Sequence, residues 1–117
     1  MDEIRKSKKW NELTNFQKQV LTITSKIPKG KVSTYGQIAE IIGNKYFSRA
    51  VGNALNKNPF APLIPCHRVV KSNGDLGGFA RGSSEKEKIL IKENIIINNH
   101  KINLSKFLIN KNNLKSE

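Results

Sequence analysis

Cysteine is nearly absent from this chain. Its 117 residues hold one, Cys66, with two histidines. A lone cysteine excludes an internal disulfide, and a structural zinc site usually takes four Cys or His ligands. A structural zinc site of that kind is therefore not expected, and any chemistry of Cys66 is that of a free thiol. Acidic residues are also scarce, 9 against 21 Lys and Arg, for a formal net charge of +12. No apolar run approaches the ~20 residues that span a bilayer. The stretch from Met1 to Lys9 is charged and has no apolar core after it, so no signal peptide and a cytoplasmic place are expected.

A surplus of cations favours a polyanionic partner, because each neutralised phosphate releases condensed counterions. Compositional bias toward Lys, Asn and Ile explains the same number, so charge alone leans toward nucleic acid without deciding it. No basic amphipathic helix suited to a lipid surface is visible. Hydrophobic residues make up 37%, enough for one globular core in a chain of this size. The expected organisation is a basic, frayed N-terminal segment (1–12) that Trp10 can pin to the body, one domain (13–104), and a loose Lys/Asn-rich tail (105–117).

Thr14 to Gln17 reads as a capping box, and Phe16, Val20, Ile23 and Ile27 follow at helical spacing until Pro28 and Gly30 stop it. Thr34 to Gln37 repeats the signature ahead of Ile38, Ala39, Ile41 and Ile42, with Gly43 as the stop. Ser48 is placed to cap a further helix, Arg49 to Asn56, which makes a helix-turn-helix candidate. Gly52 inside that helix costs roughly 1 kcal/mol against Ala, which calls for close approach of a neighbouring helix or of a nucleic-acid strand. Residues 58–65 hold three prolines and read as a rigid extended connection ending at Cys66. Arg68 to Lys71 reads as a short strand, Ser84 to Glu87 as a third capping box, and Ile95 to Leu104 as a small hairpin around Asn98-Asn99-His100-Lys101.

Ile64-Pro65-Cys66-His67-Arg68-Val69-Val70 carries the chemistry. A thiol attacks as thiolate and needs a base or a positive field beside it. His67 is adjacent, although neighbours on an extended strand point to opposite faces, so the pair needs a bend or a water between them. The bland reading is a buried Cys next to an ordinary His. Pro-Cys-His-Arg-Val, with Asn58-Pro59 before it and Gly77-Gly78-Phe79 after it, resembles the active-site region of the O6-alkylguanine-DNA alkyltransferases. Pro28 to Ala39 looks like that family's entry into its helix-turn-helix, and Arg49 to Leu55 like its recognition helix. The resemblance runs from about Leu13 to Glu93.

That resemblance implies a compact, mainly helical fold with a small β element and a winged-helix-like DNA-binding unit. It implies a monomer that takes an alkyl group from O6-alkylguanine, with O4-alkylthymine as the candidate second substrate, onto Cys66 once per molecule, with no metal or organic cofactor. His67 would act as base through a water, with Glu93 orienting it. Asn58 would brace the Cys loop, and Tyr35 would hydrogen-bond the flipped guanine at N3. Arg49 would fill the gap left in double-stranded DNA, while small Ser48, Ala50 and Gly52 let the helix into the minor groove. Val69 and Cys66 would read the base edge with backbone groups, and Phe79, Ala80 and Pro62 would line the alkyl pocket. Departures are Asn94, where Gly is frequent, and Ala61-Pro62 at the pocket rim. Many relatives carry an extra N-terminal domain; with only residues 1–12 ahead, a stand-alone catalytic domain is expected. The competing readings are a lesion binder without chemistry, which in this family lacks the Cys, a helix-turn-helix regulator, and a cysteine hydrolase.

Overall fold

The structure is a computed structural model, and it describes residues 1–77 and 82–115. Two single-turn helices open it, α1 (Asp2–Arg5) and α2 (Lys8–Asn11). Ser7 accepts from the Trp10 amide, and Trp10 is buried with its ring tilted against Phe60 at 6.3 Å between centroids. The N-terminal segment, expected to be frayed, is thus helical and anchored to the loop ahead of Cys66 by its buried tryptophan. Helix α3 (Asn15–Thr24) starts with the expected capping box: Thr14 Oγ1 accepts from the Gln17 amide, and the Gln17 side chain accepts from the Thr14 amide. Its Val20, Leu21 and Ile23 face the core.

Strand β1 (Ser33–Thr34) leads directly into α4 (Tyr35–Ile42), which Thr34 caps. Gln37 does not complete a second capping box. Its side chain instead accepts from Ser33 Oγ and donates to the Ile109 carbonyl. A 3-10 turn (Lys45–Phe47) then joins α4 to α5 (Ser48–Asn56), giving the helix-turn-helix. Ser48 is the first residue of α5 rather than its cap. Its hydroxyl donates to the Lys45 carbonyl, which consumes it in closing the turn.

Cys66–Arg68 is a second 3-10 turn, not extended chain, and β2 (Val69–Val70) pairs parallel with β1, Ser33 opposite Val69. Helix α6 (Ser83–Lys92) begins after Gly82, whose φ of 98° sets the bend; Ser84 lies inside the helix and does not cap it. The hairpin forms as read, β3 (Ile97–Asn98) against β4 (Lys101–Ile102). Asn99 and His100 both have positive φ, 52° and 63°, the conformation of a two-residue type I′ turn. Asn94, where the family favours Gly, takes φ 70°, a left-handed position that Asn tolerates better than most residues.

The chain after the hairpin is a correction to the sequence reading. Among the described residues of the supposed tail, α7 (Leu104–Phe107) and α8 (Asn112–Lys115) are folded, and Phe107, Ile109 and Leu114 are buried. The Val32 amide donates to the Phe107 carbonyl and the Ile109 amide to the Val32 carbonyl, so this segment lies along the open side of β1. Leu114 is fully buried, which contributes about 1.5–3 kcal/mol. Charge and asparagine hid three apolar residues spaced among them.

The main core joins α3, α4, α5 and the Cys66 turn through residues such as Leu21, Ile38, Val51, Ile64 and Val69. A smaller one joins Val32, Val70, Leu90, Ile95, Ile102 and Phe107 beneath the hairpin. Among the described residues the fold is mainly helical with two small sheets, in line with the expected helical fold and small β element.

Candidate active site

Asn58 builds the loop that carries the cysteine. Its side-chain amide donates to the Ile64 carbonyl at 2.9 Å, and its side-chain oxygen accepts from the Phe60 amide at 2.9 Å. The Asn58 amide in turn bonds the Leu55 carbonyl at the end of α5. The Asn58 side chain thereby closes the proline-rich loop, and its backbone amide ties the loop to α5. The loop delivers Cys66 into the 3-10 turn, where 9% of the residue is exposed.

The turn changes the relation between Cys66 and its neighbour. In place of opposite faces of a strand, both residues sit on one tight turn, and His67 points into the protein with 3% exposure. His67 Nε2 lies 3.0 Å from Glu93 Oε2. Burial lowers the imidazole below its ordinary 6.5, and this outweighs the opposing pull of the Glu93 carboxylate. His67 is therefore neutral at pH 7. A neutral ring bonded to a carboxylate through Nε2 must carry its proton there, which leaves Nδ1 as the acceptor.

Arg68 is a member of this cluster that the sequence reading did not single out. Its Nε and one terminal nitrogen grip both oxygens of Glu93, at 2.9 and 2.7 Å, and its other terminal nitrogen donates to the Ile27 carbonyl at 2.7 Å. Burial pushes the Glu93 carboxyl up, but the hydrogen bonds and charges of Arg68 and His67 prevail, so the net shift is downward. Glu93 stays ionised and held in one orientation, as a two-point guanidinium contact dictates.

Tyr35, the first residue of α4, covers the other side of the site. Gly77 has φ 79°, and a Cβ there would stand 2.9 Å from the Tyr35 hydroxyl, so only glycine lets the ring lie where it does. Gly52 packs on the opposite ring edge, its virtual Cβ 3.7 Å from Tyr35 Cε1. The gap in α5 is filled by this tyrosine. Burial, with the charge of Cys66 second, pushes the Tyr35 hydroxyl up to about 12.

Lys86 was missed altogether. It is fully buried on α6, its ammonium donating to the Val69 carbonyl at 2.6 Å and to the Tyr35 hydroxyl at 3.4 Å. Burial lowers it to about 8, against the attraction of Cys66. A signal was present. Lys86, Leu90 and Glu93 fall at i, i+4 and i+7, the buried face of α6, and charges on such a face need partners.

The remaining residues of the sequence reading divide. Ser48, Arg49 and Gly52 line, with Tyr35, Asn53, Asn56 and Lys71, an open cleft of about 420 Å³. Arg49 is exposed on its rim. Ala50 is exposed on a neighbouring face beside Thr14, Phe16 and Lys57. Pro62 lies in another cleft with His67, Arg68 and Glu93, behind the imidazole rather than beside Tyr35. The Val69 carbonyl is engaged by Lys86. Phe79 and Ala80 lie outside the described residues. Among the described residues, no group of three or more His, Cys, Asp or Glu could hold a metal, and no helix is long and apolar enough to cross a membrane.

Residues 15–95 match the family described as 6-O-methylguanine DNA methyltransferase, DNA binding domain. The chain is 52% identical over 79 residues to the methylated-DNA–protein-cysteine methyltransferase of Methanosarcina acetivorans, covering 68% of this chain and 51% of that protein. Against the protein of the same name from Candida glabrata it is 43% identical over 93 residues, 80% of this chain and 45% of that one. It spans about half the length of these relatives. The structure of Mycobacterium tuberculosis OGT in complex with DNA superposes with a TM-score of 0.68 at 40% identity, over 71% of this chain and 51% of that one. S. pombe Atl1 in complex with damaged DNA containing O6-carboxymethylguanine gives a TM-score of 0.76 at 29% identity, over 85% and 98%.

Proposed function

From the premise that the chain belongs to the 6-O-methylguanine DNA methyltransferase family, through that family's DNA-binding domain, we propose that it repairs O6-alkylguanine in DNA by taking the alkyl group onto Cys66. The observation that carries this reading is the arrangement around one sulfur. Cys66 shares a turn with a neutral His67 whose proton-bearing Nε2 is held by Glu93, and it acts electrostatically on both Tyr35 and Lys86.

Cys66 gives its proton through a water to His67 Nδ1, and Glu93 stabilises the imidazolium. The sulfur forms a bond to the alkyl carbon as the carbon–O6 bond breaks, and the electron pair leaves with the guanine. Tyr35, a weak acid that keeps its proton, donates a hydrogen bond to N3 and spreads the charge developing on the base. Lys86 places a buried ammonium against the Tyr35 hydroxyl, within electrostatic reach of the sulfur. The product is a thioether that water does not cleave, so each molecule reacts once. Alkylated thymine at O4 is the second substrate this site can accommodate by the same chemistry.

Double-stranded DNA docks over the cleft of Tyr35, Ser48, Arg49 and Gly52, with α5 in the minor groove and the damaged base turned out. Minor-groove readout is degenerate, which suits binding that ignores sequence. Arg49, exposed at the rim, fills the vacated space, and the protein acts as a monomer. The test is intact mass spectrometry after mixing with an oligonucleotide containing O6-methylguanine. One methyl-for-hydrogen increment is expected, mapped to Cys66, and none in Cys66→Ala. The likeness to Atl1 over nearly all of that chain favours one second reading, a lesion binder. Tight binding of the damaged oligonucleotide with no mass gain selects it.

A further inference from the structure

The segment after the hairpin belongs to no part of the family match, which ends at residue 95. It is nevertheless folded against the helix-turn-helix, through Val32, through Gln37 and the Ile109 carbonyl, and through the buried Leu114. This packing places Leu108 and Lys111 as one wall of a groove of about 480 Å³. The opposite wall is the turn of the helix-turn-helix, with Lys45, Tyr46 and Ser48. Ser48 also lines the Arg49 cleft, so the two depressions are continuous across one residue.

Hydroxyls gather around one glycine of the groove's lining. Around Gly36, near the start of α4, a Cβ would meet Ser72 Oγ at 3.1 Å, Ser48 Oγ at 3.8 Å and Thr34 Oγ1 at 4.0 Å. Three hydroxyls face one glycine between two lysines. Tyr46 stands at the rim with 81% exposure, and Lys45 Nζ lies 5.5 Å from its ring centre. The one carboxylate lining the groove is Glu40, whose Oε2 is 4.0 Å from Lys111 Nζ. Both partners are half exposed, so the pair is loose and exchangeable.

We infer that this groove is a second DNA-contact site, in which Lys111 of the C-terminal segment and Lys45 of the turn hold the phosphodiester backbone flanking the extruded nucleotide. The inference rests on the DNA-repair reading above. Its basis is charge and continuity. A strand lying on α5 and the Arg49 cleft runs on past Ser48, and the next surface it meets is cationic and lined by hydroxyls. Lys111 then exchanges Glu40 for a phosphate. The C-terminal segment thereby becomes part of the DNA-binding surface and not only a cover for β1.

The experiment measures duplex affinity of the full chain across a salt series, with and without one O6-methylguanine, for the unsubstituted protein, Lys111→Ala and Glu40→Gln. One lost phosphate contact lowers the slope of log K against log salt by about 0.9, and at about 0.1 M salt it weakens binding roughly three- to tenfold. Lys111→Ala is expected to show both effects. Glu40→Gln is expected to bind more tightly, the opposite of what a damaged fold would do. Alkyl transfer to free O6-benzylguanine should be the same in all three. An unchanged slope in Lys111→Ala, or weaker binding by Glu40→Gln, overturns the site while leaving the repair reading intact. Absence of salt-dependent DNA binding in the unsubstituted chain overturns both.

Discussion

Replacing Lys86 by methionine isolates what it costs to hold an ammonium inside this core. The folded protein keeps Lys86 at about 8 where an unfolded lysine titrates at 10.5. Between those values the unfolded chain retains a proton that the folded chain has shed. Stability therefore rises with pH across that window, and below pH 8 the folded state bears the full penalty. Integrated from pH 7 to pH 10, the lysine's contribution becomes more favourable by about 2.5 kcal/mol. Methionine fills similar volume and has no such dependence. Urea unfolding of both proteins at several values between pH 7 and 10, with the variant's curve subtracted, reads this one group. The series stops at 10 because Tyr35, raised to about 12, acts in the other direction above that value. The difference should climb by about 2–3 kcal/mol on the alkaline side, a large fraction of the 5–15 kcal/mol typical of a domain. A flat difference, or one that declines with pH, refutes the claim that a charged lysine is buried beside Tyr35 and Cys66. The same substitution should slow alkyl transfer, since the sulfur loses its cation.

Arg49→Ala should slow repair in duplex DNA by roughly 10–100-fold, the scale of the unstacking and unpairing that an inserted side chain offsets, and leave transfer to free O6-benzylguanine unchanged. Equal slowing of both substrates sinks the insertion role. The transfer rate should fall on acidification only below pH 6.5, because burial lowers His67 from that value and a protonated imidazole accepts nothing. In Glu93→Gln the acid limb should move further down, since Glu93 is what raises His67 against burial, and the rate should drop at all pH. A limb above 6.5 in the unsubstituted protein, or an upward move in the variant, contradicts this assignment of the base.

Much of the molecule was legible where chemistry is local. The Thr14 box, the Thr34 cap, the hairpin turn and the helix-turn-helix each depend on residues within a few positions of one another. The pairing of His67 with Glu93 spans 26 positions and came only from the family's motif. The errors share a cause. Ser48 and Ser84 have capping chemistry, but tertiary packing set the helix starts elsewhere, at a 3-10 turn and after Gly82. Cys66 was read as the end of an extended connection because prolines favour extended chain, whereas the turn after Pro65 closes through the Arg68 amide on the Pro65 carbonyl. Lys86 and Arg68 looked like two more surface cations in a basic chain. Their partners, the Val69 carbonyl and Glu93, distinguish them, and for Lys86 so does its spacing with Leu90 on the buried face of α6. The buried residues 107, 109 and 114 were too sparse among Lys and Asn to give a period.

The short strand before Tyr35 has neighbours on both flanks, β2 behind the cysteine and the run from Phe107 to Ile109. That makes Val32 a hinge pin shared by two distant stretches of chain. Its amide and carbonyl are both spent on the late stretch, and three residues later the same backbone presents the phenol. A substitution at Phe107 or Ile109, remote from any base, will therefore register as a misaimed tyrosine before it registers as a missing contact.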